Sequence, residues 1–228
     1  MLRGLEQELR RTRDPLDLER AGVISEMLKS RGSDIPLSSF ATPERALNIP
    51  EVSEAMYMQT REALAKEGYT FVVDILPVSI GQLATDEKTS QRFGYVNSSE
   101  NMRSIVPPRM EVAINPNNLR IKNSNSKSTD DQIRMLEKEE AVLTAKLPQG
   151  IKDIISIRIQ NASVLAQLDN QYQKETGKVL FTDWFGRTND QTVPGYVALV
   201  GRDVLTSGLG VDDWSRGSGV SVSLQFPW

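Results

Sequence analysis

The sequence contains no cysteine and no histidine. Without cysteine there is no disulfide, no thiolate nucleophile, no iron–sulfur cluster and no cysteine-held zinc. Without histidine there is no Ser-His-Asp or Cys-His catalysis, no HExxH zinc chemistry, no histidine-held haem and no imidazole pH switch. Any catalysis would have to run on carboxylates, Lys, Tyr, Ser/Thr or Arg, or on a hard metal held by oxygens. Long apolar runs are missing too. Nothing approaches the ~18–20 apolar residues of a membrane span, and the longest runs, such as Tyr196 to Val200, are of strand length. The start, Met1-Leu2-Arg3-Gly4-Leu5-Glu6, mixes charge with apolar residues and has no signal-peptide core. An excess of one charge is also absent: 27 Lys and Arg face 30 Asp and Glu, for a net charge of -3. Dedicated nucleic-acid binders are usually strongly basic, so this balance argues against one. The expectation is a soluble cytoplasmic protein with no membrane association and no cofactor.

What is present is an ordinary globular composition, 39% hydrophobic and 25% charged over 228 residues. A chain of this length needs no disulfide or metal to hold its core. Leu2, Leu5 and Leu9 share one helical face before Asp14-Pro15 interrupts. A second helix is expected from Leu16 to Arg31, and Gly32 stops it. Pro36, Pro43 and Pro50 mark residues 33–50 as a connector. A third helix runs to Lys66, with Val52, Met56, Ala63 and Leu64 inward. Tyr69 to Leu76 is β-branched and aromatic and predicts a strand; Ser79 to Leu83 predicts one helical turn, and Gln91 to Pro108 reads as irregular. Met110, Val112 and Ile114 alternate with Glu111, Ala113 and Asn115, the pattern of a half-buried strand. Ser128 with Asp131 resembles a capping box opening a helix to Leu147, with Ile133, Leu136, Leu143 and Leu147 inward. Ile155 to Ile159 predicts a strand, and Ala162 to Thr176 a helix ended by Gly177. Val179 to Phe181 predicts a short strand and Tyr196 to Val200 a buried one. Val220 to Phe226 predicts an amphipathic strand. The sum is an α+β fold: N-terminal helices, then a mixed sheet of about five to six strands with two covering helices and an antiparallel C-terminal part. Residues 1–32 would form a helical arm and 51–228 a single domain.

The motifs that invite chemistry mostly dissolve. Gly177-Lys178 is not a phosphate loop, because Tyr172 and Val179 occupy positions where that pattern needs Gly and Ser or Thr. Gly208-Leu209-Gly210 and Gly217-Ser218-Gly219 read as turn glycines, since no helix follows them. Residues 183–228 carry five Asp against three Arg. Asp212 and Asp213 are the candidate ligands for Mg²⁺ or Ca²⁺, or an acid–base pair, although aspartate and glycine are also what turns are made of. The stretch 117–127 holds Arg120, Lys122 and Lys127 and no acid; Arg103 and Arg109 extend it backwards. It could touch phosphates, but it has no interleaved aromatic for base stacking and reads first as a solvated loop. Trp184 and Trp214 fall in the loops 183–194 and 203–219 beside Arg187 and Arg216. Loop tryptophans anchor partners, or plug the end of a sheet layer.

EVAINP (Glu111 to Pro116), NSNSKS (Asn123 to Ser128), GKVLF (Gly177 to Phe181), VALVGR (Val197 to Arg202) and GLGVDDWSRG (Gly208 to Gly217) resemble an uncharacterised family of hypothetical proteins from candidate-phyla bacteria. The resemblance covers under half the chain. It implies a small intracellular protein of a reduced-genome lifestyle and carries over no activity and no functional residue. From the residues themselves, the leading expectation is a non-enzymatic binding protein. Its contact surface would hold Trp184, Arg187, Trp214 and Arg216, for a protein partner or a second copy of the chain. The alternatives are a carboxylate- or metal-dependent hydrolase or transferase using Asp212 and Asp213, and weak nucleic-acid binding through Arg120, Lys122 and Lys127.

Overall fold

The structure is a computed structural model. It describes residues 53–97, 99–152, 154–182, 184–192, 196–202, 208–212 and 224–226. The chain divides into two compact units, residues 1–48 and 49–228, and every described residue lies in the second. The expected arm, its connector, and Asp213, Trp214 and Arg216 lie outside the described residues.

The fold is α+β. In chain order the elements are α1 (Glu54–Lys66), β1 (Phe71–Ile75), α2 (Ile80–Thr85), β2 (Phe93–Val96), α3 (Glu100–Ser104), β3 (Met110–Ile114), α4 (Thr129–Thr144), α5 (Gln149–Lys152), β4 (Ser156–Ile157), α6 (Ala162–Thr176), β5 (Gly186–Gln191), β6 (Val197–Arg202), β7 (Leu209–Asp212) and β8 (Leu224–Phe226). The strands do not join one sheet of five or six. They form two sheets of four, ordered β1-β3-β8-β4 and β2-β7-β6-β5. The first is antiparallel throughout; in the second, β2 runs parallel to β7 and the other pairings are antiparallel. Both β3 and β4 oppose β8, so they run parallel to each other, with α4 in the connection between them.

Local chemistry explains the helix boundaries. The Ser53 hydroxyl accepts the Met56 N–H to start α1. Ser79 and Gln82 close a full capping box on α2. Ser128 caps α4 by accepting from Asp131 N, while its hydroxyl donates to the Asp131 carboxylate at 2.8 Å. Only half of the expected box therefore forms. Gly177 ends α6 in the left-handed conformation, φ 72°, which glycine adopts without strain.

The β3 strand is buried on both faces, where the alternation of its side chains predicts one wet face. Val112 and Ile114 face a cluster that includes Val73 and Ile75 of β1, Leu165 and Leu168 of α6, and Val200 and Val211 of the second sheet. Ala113 faces a separate cluster with Leu64 of α1 and Leu136 and Leu143 of α4. The helices thus cover the side that the pattern assigns to water. On that side Glu111, 7% exposed, accepts the Tyr57 hydroxyl at 2.7 and 2.8 Å. Arg61 donates to the same phenol oxygen at 3.2 Å. Burial first, and then the Glu111 hydrogen bond, raise the Tyr57 pKa, so the phenol stays a donor at neutral pH. It ties α1 to β3.

The second finding is the position of α6. It packs on β1 of one sheet and on β5 and β6 of the other. Its residues Ala162 to Asp169 are all buried. Buried polar groups need partners, and these have them. Gln167 clamps the Leu76 peptide, accepting its N–H at 2.9 Å and donating to its carbonyl at 3.0 Å. Ser163 donates to the Val78 carbonyl. Asp169 accepts the Leu180 N–H at 2.8 Å and pairs with Arg202 at 2.6 Å. The N-terminus of α6 is capped from a distance: Asn161 makes no side-chain cap bond, and Asp190 of β5 accepts Ala162 N at 2.6 Å and Asn161 Nδ2 at 2.7 Å.

Gln167→Ala removes both hydrogen bonds to the Leu76 peptide and is expected to cost about 2–3 kcal/mol in urea unfolding, against under about 0.5 kcal/mol for Gln171→Ala on the outer side of the helix. Burial raises the pKa of Asp190 above its ordinary 3.8, against its two hydrogen bonds. The folded chain therefore holds this proton more tightly than the unfolded chain does. Its contribution to stability is full below 3.8 and is lost as pH rises through the raised value. Melting curves across pH should show the penalty of Asp190→Asn shrinking as pH rises through that window; a penalty that grew with pH would contradict the assignment.

Candidate functional site

Residues 177–182 follow α6, and Trp184 and Phe185 precede β5. The short strand expected at Val179 to Phe181 does not form, because Asp169 takes the backbone N–H groups of Leu180 and Phe181 that a strand partner would use. This tie folds the segment back on the helix. Phe181 and Trp184 then meet at a ring-centroid distance of 5.0 Å inside the main cluster. Trp184 is 8% exposed. Of the two readings the sequence leaves for it, contact anchor or plug of a sheet layer, its burial matches the plug. Phe185 is the exposed one, at 40%, and its ring lies over Gly201 of β6, where no side chain would fit. Within the expected loop 183–194, residues 186–191 form strand β5, in which the polar residues Thr188 and Asp190 are buried.

Across the indole lies Arg120. Its guanidinium carbon stands 5.9 Å from the Trp184 ring centroid, within the range of a cation–π contact. Leu119 and Ile121, both buried, anchor the chain on either side of it, one in each hydrophobic cluster. Lys122 and Lys127 follow on the same loop and are exposed. Asn123 and Ser126 take left-handed conformations there, with φ 62° and 60°. The sequence therefore treats as separate two groups of candidates, Arg120 and Trp184, that the fold brings into contact.

Gln132 completes the arrangement. It is 1% exposed and faces inward in the first turn of α4, whereas Ile133, expected there, is 41% exposed. The reason is hydrogen bonding. Gln132 Nε2 donates to the Ser124 carbonyl at 2.9 Å, and its Oε1 accepts from Arg187 Nη1 at 2.9 Å. One amide thus links the basic loop to β5. Beside it, Asn125 has a buried side-chain oxygen with no donor.

Arg187 is the unusual member. It lies on β5 opposite Leu199 and is half-buried. Among the described residues no carboxylate pairs with it, and its Nε is buried without an acceptor. Burial alone lowers its pKa, with no acidic neighbour to raise it. Partial desolvation of a cation with no counter-charge costs free energy, and each unmet buried donor costs about 1–3 kcal/mol.

The remaining candidates lie elsewhere. Asp212 sits at the end of β7, where Asn97 Nδ2 donates to it at 3.3 Å; its neighbour Asp213 is outside the described residues. Asp190 is spent on the α6 cap. Among the described residues no three acidic groups gather as a metal site would require. Arg109 pairs with Asp74 at 2.8 Å, and Arg103 lines an open cleft of about 430 Å³ between α2 and α3 with Gln82, Thr85 and Glu100. Neither extends the basic loop. Gln132 and Ser124 were not foreseeable from the apolar pattern, since a buried glutamine reads as a solvated one. Comparison with family models, with curated proteins and with solved structures finds no match.

Arg120→Ala uncovers the indole. In a background where Trp214 and Trp228 are replaced by Phe, the remaining Trp184 emission should shift to longer wavelength, with about 0.5–1 kcal/mol of stability lost. Unchanged emission would show that the guanidinium does not cover the ring.

Proposed function

We propose that this protein is a non-enzymatic binding protein that receives an acidic protein partner on the surface formed by Arg187, Arg120 and the loop 117–127. The observation that carries the reading is the half-buried Arg187 with no carboxylate partner among the described residues. A cation kept partly dry and unpaired in the free protein is ready to pair with a group from outside. Charge supports the same direction: Arg120, Lys122 and Lys127 stand in a stretch with no acidic residue. Exposed Phe185, two positions before Arg187, adds an apolar contact. Nucleic acid fits less well. Trp184 is buried and its ring is covered by Arg120, so it offers no open face to a base. The chain as a whole is acidic, at -3.

Native mass spectrometry on the full chain, purified at low salt, tests this. The wild type should retain added mass from an acidic protein; Arg187→Gln should lose it while still unfolding cooperatively, and Asp212→Asn should keep it. Retention undiminished in Arg187→Gln, a bare wild-type chain, or added mass from nucleic acid instead would each overturn the reading.

A further inference from the structure

The open cleft of about 430 Å³ between α2 and α3 is of a size that takes a small molecule. Its floor depends on Gly81. A Cβ there would stand 2.8 Å from the Arg103 carbonyl oxygen, so glycine lets the two short helices approach this closely. Ile80 and Leu83 of α2 and Met102 of α3 are buried in the main cluster, which fixes both walls. Most polar groups along the walls are already spent. Ser79 Oγ accepts Gln82 N at 3.2 Å, Thr85 Oγ1 donates to the Gly81 carbonyl at 3.0 Å, and Ser104 Oγ donates to the Asn101 carbonyl at 3.3 Å. Three charged or polar groups on the walls remain unspent among the described residues: the Arg103 guanidinium, the Glu100 carboxylate and one end of the Gln82 amide. Ser79 N–H donates to Gln82 Oε1 at 2.7 Å, so that amide is oriented and its Nε2 is left as a donor without an acceptor. Glu100 and Arg103 stand three residues apart on α3, a spacing that brings Cβ atoms to about 5–6 Å. No ion pair joins them. Neighbouring opposite charges left unpaired can each meet the opposite charge of one small ligand. Val106, 51% exposed, adds an aliphatic contact on the same cleft.

We propose that this cleft binds a free aliphatic α-amino acid. The carboxylate lies on Arg103 and Gln82 Nε2, the ammonium on Glu100, and the side chain against Val106. The unspent groups of the cleft are the inverse of the groups that such a ligand carries on and beside one carbon. The site uses neither Arg187 nor the loop 117–127, so it stands or falls apart from the acidic-partner reading.

The test is an NMR titration of the ¹⁵N-labelled full chain, following the side-chain amide of Gln82. That signal is the one missing in Gln82→Glu, which can still close the capping box. The probes are L-leucine, 4-methylpentanoate, which lacks the ammonium, and leucinamide, which lacks the carboxylate. The expected result is a saturable shift of the Gln82 amide with L-leucine, and binding weaker by roughly tenfold or more for each of the other two. Arg103→Gln should weaken L-leucine by a similar factor. Glu100→Gln should bring L-leucine down to the affinity of 4-methylpentanoate. Neither side chain bonds to another described residue, so both variants should still unfold cooperatively. No saturable shift with L-leucine, equal binding of 4-methylpentanoate or leucinamide to the wild type, or unchanged L-leucine affinity in Arg103→Gln or Glu100→Gln overturns the site.

Discussion

The structure depends on one helix being buried almost all the way round. Eight consecutive residues of α6, Ala162 to Asp169, are shut away from water, between β1 of one sheet and β5 and β6 of the other. A helix in that position cannot leave polar side chains unmet, because each would cost about 1–3 kcal/mol. The polar residues it carries are therefore its attachments. Gln167 replaces the strand partner that the Leu76 peptide lacks, Ser163 holds Val78, and Asp169 holds the start of the next segment. Asp190, reaching back from β5, supplies the cap that Asn161 does not. The sheets are joined through this helix by hydrogen bonds of defined direction as well as by apolar area. This is how two small sheets, with one strand of only two residues, keep a single arrangement.

The candidate site inherits its geometry from those attachments. Asp169 ties Leu180 and Phe181 to the helix, and Trp184 packs against Phe181. Asp190 fixes β5, and with it the starting point of the Arg187 side chain. The other half comes from α4, where Gln132 holds the loop 117–127 and the guanidinium together. Asp169 and Asp190 are both carboxylates whose pKa burial raises. They are costly groups, kept because they satisfy backbone N–H groups that would otherwise be orphaned. Arg187 differs from them in one respect: one of its buried polar atoms, Nε, has no hydrogen-bond partner.

How far the sequence could be read follows from what periodicity measures. It registers apolar residues that face a core. For α6 it finds the right ends, because the apolar stripe is continuous and Gly177 marks the stop. The same holds for β1 and β6 to within two residues at each end, and for the serine cap of α4. It fails where the buried residues are polar. The β5 sequence GRTNDQ has no apolar side chain, so it reads as a loop, yet Thr188 and Asp190 are among the most buried residues described. Gln132 is invisible for the same reason, and Ile133, one position on, takes its place in the pattern. At β3 the alternation is real, and the error lies in assigning water to a face that α1 and α4 cover. The site was legible as a list of residue types. Trp184, Arg187 and Arg120 were all singled out, but their convergence depends on Gln132 and Asp169, whose roles no spacing reveals.

The physics of the site sets the kind of recognition it can support. A chain with net charge -3 casts no long-range attractive field on an anion. Exposed Lys122 and Lys127 act only within about 8 Å at physiological salt. Selection in the proposed reading therefore has to happen at contact, where the half-buried Arg187 is less screened than the lysines beside it. There the guanidinium meets an acceptor in a partly dry setting, with its plane already set by Gln132, so little orientational freedom remains to be lost. Such a site favours a partner that brings a charged group with the right shape over one that brings charge alone. A flexible lysine at the same position would reward any nearby anion equally. The same argument explains why Trp184 contributes without being exposed: buried against Phe181 and covered by Arg120, it is a rigid wall that holds the second cation in place rather than a surface for a ligand to stack on.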